Sequence, residues 1–139
     1  MAAMEDTNFD KIIRREISAD IVYEDDATIA FLDIRPNNPG HTLVVPKKQV
    51  INIFDADDET LAALMRTIRK IAPAIRDAVG ADGLNINSNH GKGAGQLIFR
   101  LHFHIIPRFA NDGYTFWPQK EYAPGEMQQV AEKIRSKII

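Results

Sequence analysis

Cysteine is absent from this 139-residue chain. That excludes disulfides, cysteine-ligated zinc and a thiol nucleophile. Neither sign of charge prevails: 17 Lys and Arg stand against 19 Asp and Glu, for a net charge of −2. Without a basic excess, nucleic-acid binding is not expected. No stretch approaches the ~20 apolar residues of a membrane helix, and no N-terminal apolar run resembles a signal peptide. A soluble, cytoplasmic protein that does not bind membranes is the expectation. Internal repeats and domain boundaries are also missing, so residues 1–139 read as a single domain long enough to bury a core.

The elements follow from spacing. Met1 to Thr7 is small and polar, and reads as a loose tail. Phe9, Ile12 and Ile13 suggest a short helix reaching about Arg15. Ile21-Val22-Tyr23 and Thr28 to Leu32 read as a hairpin around Glu24-Asp25-Asp26. Pro36-Asn37-Asn38-Pro39-Gly40 is a dense turn signal before a third strand, Thr42 to Val45. Leu61, Leu64, Met65, Ile68, Ile71, Ala72, Ile75 and Val79 recur at helical spacing. Asp55 or Asp57 can cap that helix and Gly80 can end it, while Pro73 should kink or split it. Leu84 to Asn87 reads as a fourth strand, Leu97 to Pro107 as a fifth, and Glu126 to Ile138 as an amphipathic helix. The expected class is α+β, a five-stranded and mostly antiparallel sheet with one long helix and a C-terminal helix.

Histidine is scarce, with four in the chain, yet two of them stand at 102 and 104. Side chains alternate across a strand. On a strand from Leu97, positions 97, 99, 101, 103 and 105 make an apolar face, and Arg100, His102 and His104 share the other. Two imidazoles and a guanidinium on one strand suit binding an anion, moving a proton or attacking phosphorus. The glycine-rich loop His90 to Gly95 runs into that strand, and its backbone N–H groups can cradle an anion. A zinc site using His102, His104 and His41 or Asp33 is the competing arrangement. Arg100 would repel the cation, and no Glu within the motif serves as a base, so no metal is expected.

Arg100-Leu-His102-Phe-His104-Ile-Ile, preceded by Asn89 and Gly95-Gln96, resembles the signature of the histidine-triad (HIT) superfamily, Hint-like branch. That signature is His-φ-His-φ-His-φ-φ with φ apolar, after an Asn and a Gly-Gln pair. Phe9 to Arg14, Tyr23 to Asp26, Ala30 to Pro36 and Pro39 to Lys47 also stand in family order, so the likeness spans nearly the whole chain. The resemblance implies a homodimer and a two-step reaction on the α-phosphate of a purine mononucleotide or dinucleotide. It makes His102 the nucleophile, giving a nucleotidyl-histidine that water hydrolyses. His104 would bond the phosphate or leaving group, and His41 would sit behind the triad and orient it or relay protons. Gln96, Asn89, Gly95 and the Leu97 backbone N–H would surround the phosphate. Asp33 would hold the ribose, and Phe9, Ile12, Phe31, Leu32 and Ile34 would form the slot for the base. No cofactor is implied.

Two positions depart from the pattern. Arg100 stands where the first histidine of the triad is expected, and Leu97 where Hint-like members often carry Ser. Arg cannot relay a proton, but it offers a fixed positive charge, and on this reading it contacts the phosphate chain. The cysteine pairs that bind zinc in some relatives are likewise missing, with Asn8 and Asp10 in that neighbourhood. The alternative to an enzyme is a nucleotide-binding regulatory module with vestigial activity.

Overall fold

The long helix forms where its periodicity predicts. In a computed structural model describing residues 5–139, α2 spans Asp58–Val79. The Asp57 carboxylate accepts from the Thr60 amide at its start, and Gly80 ends it with φ 65°. Pro73 neither splits nor ends it; the helix runs unbroken through 22 residues. Proline removes one N–H and frees the carbonyl four residues back. That carbonyl belongs to Arg69, and both residues lie on the exposed face, where water can bond it.

The other helices are α1 (Asn8–Ile13) and α3 (Glu126–Lys137). The strands are β1 (Ile21–Glu24), β2 (Thr28–Leu32), β3 (Thr42–Pro46), β4 (Gly83–Asn87) and β5 (Phe103–Arg108). They form one sheet in the order β1-β2-β3-β5-β4, with each neighbouring pair antiparallel. The expected α+β class with five strands is what the chain adopts. The tail expectation holds less well. Residues 1–4 lie outside the described residues, but Asp6 pairs with Arg14, and Thr7 caps α1 with a reciprocal bond to Asp10.

Alternation divides the sheet into two faces. Ala30, Val44 and Ile105 pack with Leu64, Ile68 and Ile71 beneath α2. Ile29, Phe31, Leu43 and Val45 pack with Phe9 and Ile12 beneath α1. Burying each large apolar side chain contributes roughly 1.5–3 kcal/mol, so both faces are firmly anchored. The α1 face is only partly covered, and this leaves a recess at the C-terminal end of β2. His104 lies there, paired in register with Leu43 and Asn87.

Residues 97–102 correct the expectation of a fifth strand from Leu97. Regular pairing starts at Phe103. Leu97 is 88% exposed and Phe99 41%, so the apolar face continues no further back than Leu101. The preceding segment bends, and its Leu101 amide donates to the Val50 carbonyl at 2.8 Å instead of joining the β3 ladder.

Candidate active site

A pocket of about 610 Å³ opens between α1, the end of β2 and the segment before β5. Its volume lies within the usual range for small-molecule sites. Phe9, Ile12, Phe31, Leu32, Asp33, Ile34, Asn89, Gly95, Leu97, His102 and His104 line it, as the sequence led us to expect. Phe31 and Phe9 meet edge to face at 5.5 Å and form its apolar floor. Ile34 and Leu97, 91% and 88% exposed, stand at its mouth.

Main-chain groups fix the protonation of the histidines. A carbonyl can only accept, and His102 Nδ1 lies 2.6 Å from the Arg100 carbonyl, so Nδ1 carries the proton. The Nε2 lone pair of His102 is therefore free. Burial pushes this imidazole down to about 4, against partial compensation from the Arg100 carbonyl, and the neighbouring His104 lowers it further. It is neutral at pH 7. Phe9 packs edge-on to its ring with centroids 4.9 Å apart and limits its rotation.

The second histidine pair is wired by the same logic. An amide N–H can only donate, and the Asn37 N–H donates to His41 Nδ1 at 3.1 Å. Burial holds His41 below the usual imidazole range, so its single proton sits on Nε2. From there it is donated to His104 Nδ1 at 2.9 Å. His104, also lowered by burial and then by His41, must carry its own proton on Nε2. Thus His102 offers a lone pair and His104 an N–H, with ring centroids 5.0 Å apart. A base and a donor lie side by side without either ring being charged.

Asp33, His41 and His104 also bring ligand atoms within 4.8 Å of one another. Asp33 Oδ2 stands 3.8 Å from His41 Nε2. A metal on His41 Nε2 would leave the ring proton on Nδ1, facing the Asn37 N–H donor. The donor set therefore suits a shared proton better than a cation. Asp33 Oδ1 accepts from the Arg35 amide at 2.9 Å, which holds the carboxylate at the pocket edge.

Three expected site residues lie outside the pocket lining, and two of them, Gln96 and Arg100, were expected to contact the ligand. His41 is buried behind His104, as anticipated. Gln96 was expected to hold phosphate. Instead both of its N–H donors are used, on the Ile51 carbonyl at 2.7 Å and the Ile98 carbonyl at 3.2 Å, and its oxygen accepts from the Gly91 amide at 2.9 Å. Gln96 staples the glycine loop to the segment after β3. Arg100 was expected to reach the phosphate from the face shared with His102 and His104. It is 1% exposed and points away, its Nε 2.8 Å from Asp10 Oδ1.

Several lining residues had no signal in the sequence pattern. Asn8, Ile17, Ser18, Ala19, Arg35, Leu43 and Ile98 complete the walls. The Asn37 amide, which sets the state of His41, is a backbone group in a turn. No side-chain motif could have marked it.

A family model described as the HIT domain matches residues 14–111. The chain is 39% identical over 142 residues to protein hit of Bacillus subtilis, covering 99% of this chain and 98% of that protein. It is 35% identical to adenosine 5'-monophosphoramidase hnt1 of Schizosaccharomyces pombe, over 94% of this chain and 96% of the relative. A crystal structure of a HIT-family member from Bacillus subtilis superposes with a TM-score of 0.89 at 38% identity, covering 97% of this chain and 99% of that one.

Proposed function

From the premise that the chain belongs to the HIT domain family, we propose that it is a nucleotide hydrolase or nucleotidyl transferase that works through a nucleotidyl-histidine on His102. The observation that carries this reading is the 2.6 Å bond from His102 Nδ1 to the Arg100 carbonyl. It leaves Nε2 as a neutral nucleophile aimed into the pocket. As Nε2 bonds to the α-phosphorus, the bond to the leaving group breaks and the imidazole ring gains positive charge. The Arg100 carbonyl stabilises that charge without moving, a preorganised electrostatic contribution. His104 Nε2–H donates a hydrogen bond to the departing amine or phosphate, which takes up its proton from water. Water then attacks phosphorus, expels His102 as the neutral imidazole and releases its proton to solvent with the nucleoside monophosphate. Splitting the reaction lets the leaving group depart before water enters.

Asp33 at the rim receives the ribose hydroxyls, and the Phe9, Ile12 and Phe31 floor receives a purine base. Asn89, Gly95 and the Leu97 amide lie on the phosphate side. The substrate is an AMP-like mononucleotide or dinucleotide, with an amine the favoured leaving group, since a relative of this length is named an adenosine 5'-monophosphoramidase. The pocket lining supports a small neutral leaving group, because Arg35 is its sole cation among the described residues.

The reading includes a homodimer. α3 buries none of its residues, and Met127 and Ile134 are 63% and 56% exposed. A helix of this length is marginal alone in water, so a second copy is its natural support, with two-fold pairing the commonest form. Light scattering at micromolar concentration should give twice the chain mass; a monomer mass would refute the pairing. Among the described residues no helix is long and apolar enough to cross a membrane, which accords with action in the cytoplasm.

The decisive experiment is to mix the protein with an AMP-amine, quench in alkaline denaturant and measure mass. An adduct of one AMP mapping to His102, absent in His102→Ala, is the expected result. Nucleotide bound without adduct or turnover would instead favour a regulatory binding module.

A further inference from the structure

Arg100 is a fully buried cation that the reaction just described does not use. Its Nε donates to Asp10 Oδ1 at 2.8 Å and its Nη2 to the Lys47 carbonyl at 3.3 Å. Its Nη1 is buried with no partner among the described residues. Asp10 is equally sequestered, 6% exposed. Its Oδ2 accepts from the Thr7 amide at 2.9 Å and the Thr7 hydroxyl at 2.8 Å, closing the cap of α1. An ion pair taken out of water seldom adds net stability over an apolar pair, yet breaking one partner is strongly destabilising. The pair therefore calls for another reason, and its position supplies one.

Both ends of the pair touch the reacting geometry. The main chain of Arg100 provides the carbonyl that holds His102 Nδ1. Asp10 follows Phe9, whose ring packs on His102 and floors the pocket. Ile12 lies one turn on from Phe9 and lines the same wall. A displacement of α1 or of the 98–102 segment would shift the base slot relative to the nucleophile. The guanidinium is planar and forked, so it fixes direction as well as distance.

We propose that Arg100 and Asp10 are a positioning pair that locks the pocket-wall helix α1 to the nucleophile segment, setting both the tautomer of His102 and its register with the bound base. Neither residue touches substrate; both act through Phe9 and His102. The inference rests on reading His102 as the nucleophile, but its main test needs no turnover.

The test uses the full-length, ¹⁵N-labelled protein and its variants Arg100→Met, Asp10→Asn and the double substitution. Long-range ¹H–¹⁵N spectra report which ring nitrogen of His102 holds the proton. The unaltered protein should show the proton on Nδ1 alone, and each single variant a mixture over both nitrogens. KM for an AMP-amine should rise by about tenfold in either single variant, and the double variant should be no worse than the poorer single, because the two residues act as a unit. A purely structural pair would lower the amount of folded protein, which leaves KM and the tautomer untouched. Wild-type tautomer and KM in the folded single variants would overturn the proposal, as would effects that simply multiply in the double variant. Should Arg100→Met fail to fold, Arg100→Lys keeps the charge without the fork and should show intermediate values. A wild-type tautomer and KM in Arg100→Lys and Asp10→Asn alike would be equally fatal. Failure of the nucleophile reading is separate: it would appear as no adduct on the unaltered protein.

Discussion

Acid should weaken this fold through His102. Its imidazole is pushed by burial from an ordinary 6.5 to about 4 in the folded chain, whereas the unfolded chain titrates normally. Between those values the unfolded state binds a proton that the native state refuses, so stability falls as pH falls. Integrated from pH 7 to pH 4, the single group removes about 3 kcal/mol. A typical domain holds only about 5–15 kcal/mol in all. His41 and His104 are shifted the same way, so they act in the same direction. The assay is urea unfolding of the wild type and of His102→Ala at each half unit across this range. The variant starts less stable at pH 7 because a packed ring is gone. The gap between the two proteins should then shrink by about 3 kcal/mol toward pH 4, as only the wild type must charge a buried ring. A gap that stays constant across the range would show that His102 is not held neutral by burial. The same lowering places the acid limb of kcat/KM below pH 5, not near 6.5, since Nε2 keeps its lone pair until then.

Asp33→Ala should raise KM for ribonucleotides by the equivalent of ~1.5–3 kcal/mol, the worth of a hydrogen bond to a charged group, and leave 2′,3′-dideoxy analogues nearly unaffected; equal losses on both would assign Asp33 to the turn alone. Gly40→Ala should destabilise the chain by about 1–3 kcal/mol in denaturant unfolding. Gly40 has φ +94°, and an added Cβ would meet Val79 Cγ1 at 3.0 Å and Pro107 Cγ at 3.1 Å; an unchanged midpoint would contradict that crowding. His41→Ala should free the proton of His104 to move between ring nitrogens, lowering kcat more than it raises KM, and ¹⁵N spectra with steady-state kinetics would check both.

Much of the framework was legible because it depends on short-range physics. The hairpin and the helix with caps at Asp57 and Gly80 follow from local spacing, while the lining residues near β2 rest on the family resemblance alone. The segment before β5 misled because Leu97, Phe99 and Leu101 alternate as a strand would, yet only Leu101 is buried. Two-residue periodicity over so short a run does not distinguish a strand from a bent segment. Gln96 and Arg100 misled for a different reason. Their types suit phosphate, but the Gln96 donors are taken by Ile51 and Ile98, and the Arg100 side chain is turned to Asp10 and Lys47. Arg100 and Asp10 lie 90 positions apart, and no one-dimensional pattern pairs them.

The amide of Asn37 has a wider consequence. By donating to Nδ1 it places the His41 proton on Nε2, and through His41 it sets His104. No side chain at position 37 takes part in that bond. The position is thus free to drift among nineteen residues while the chemistry downstream stays constant, and proline is the one replacement that erases it. Part of what sets the protonation of this histidine pair is written in the course of the main chain, where comparing residue types cannot read it.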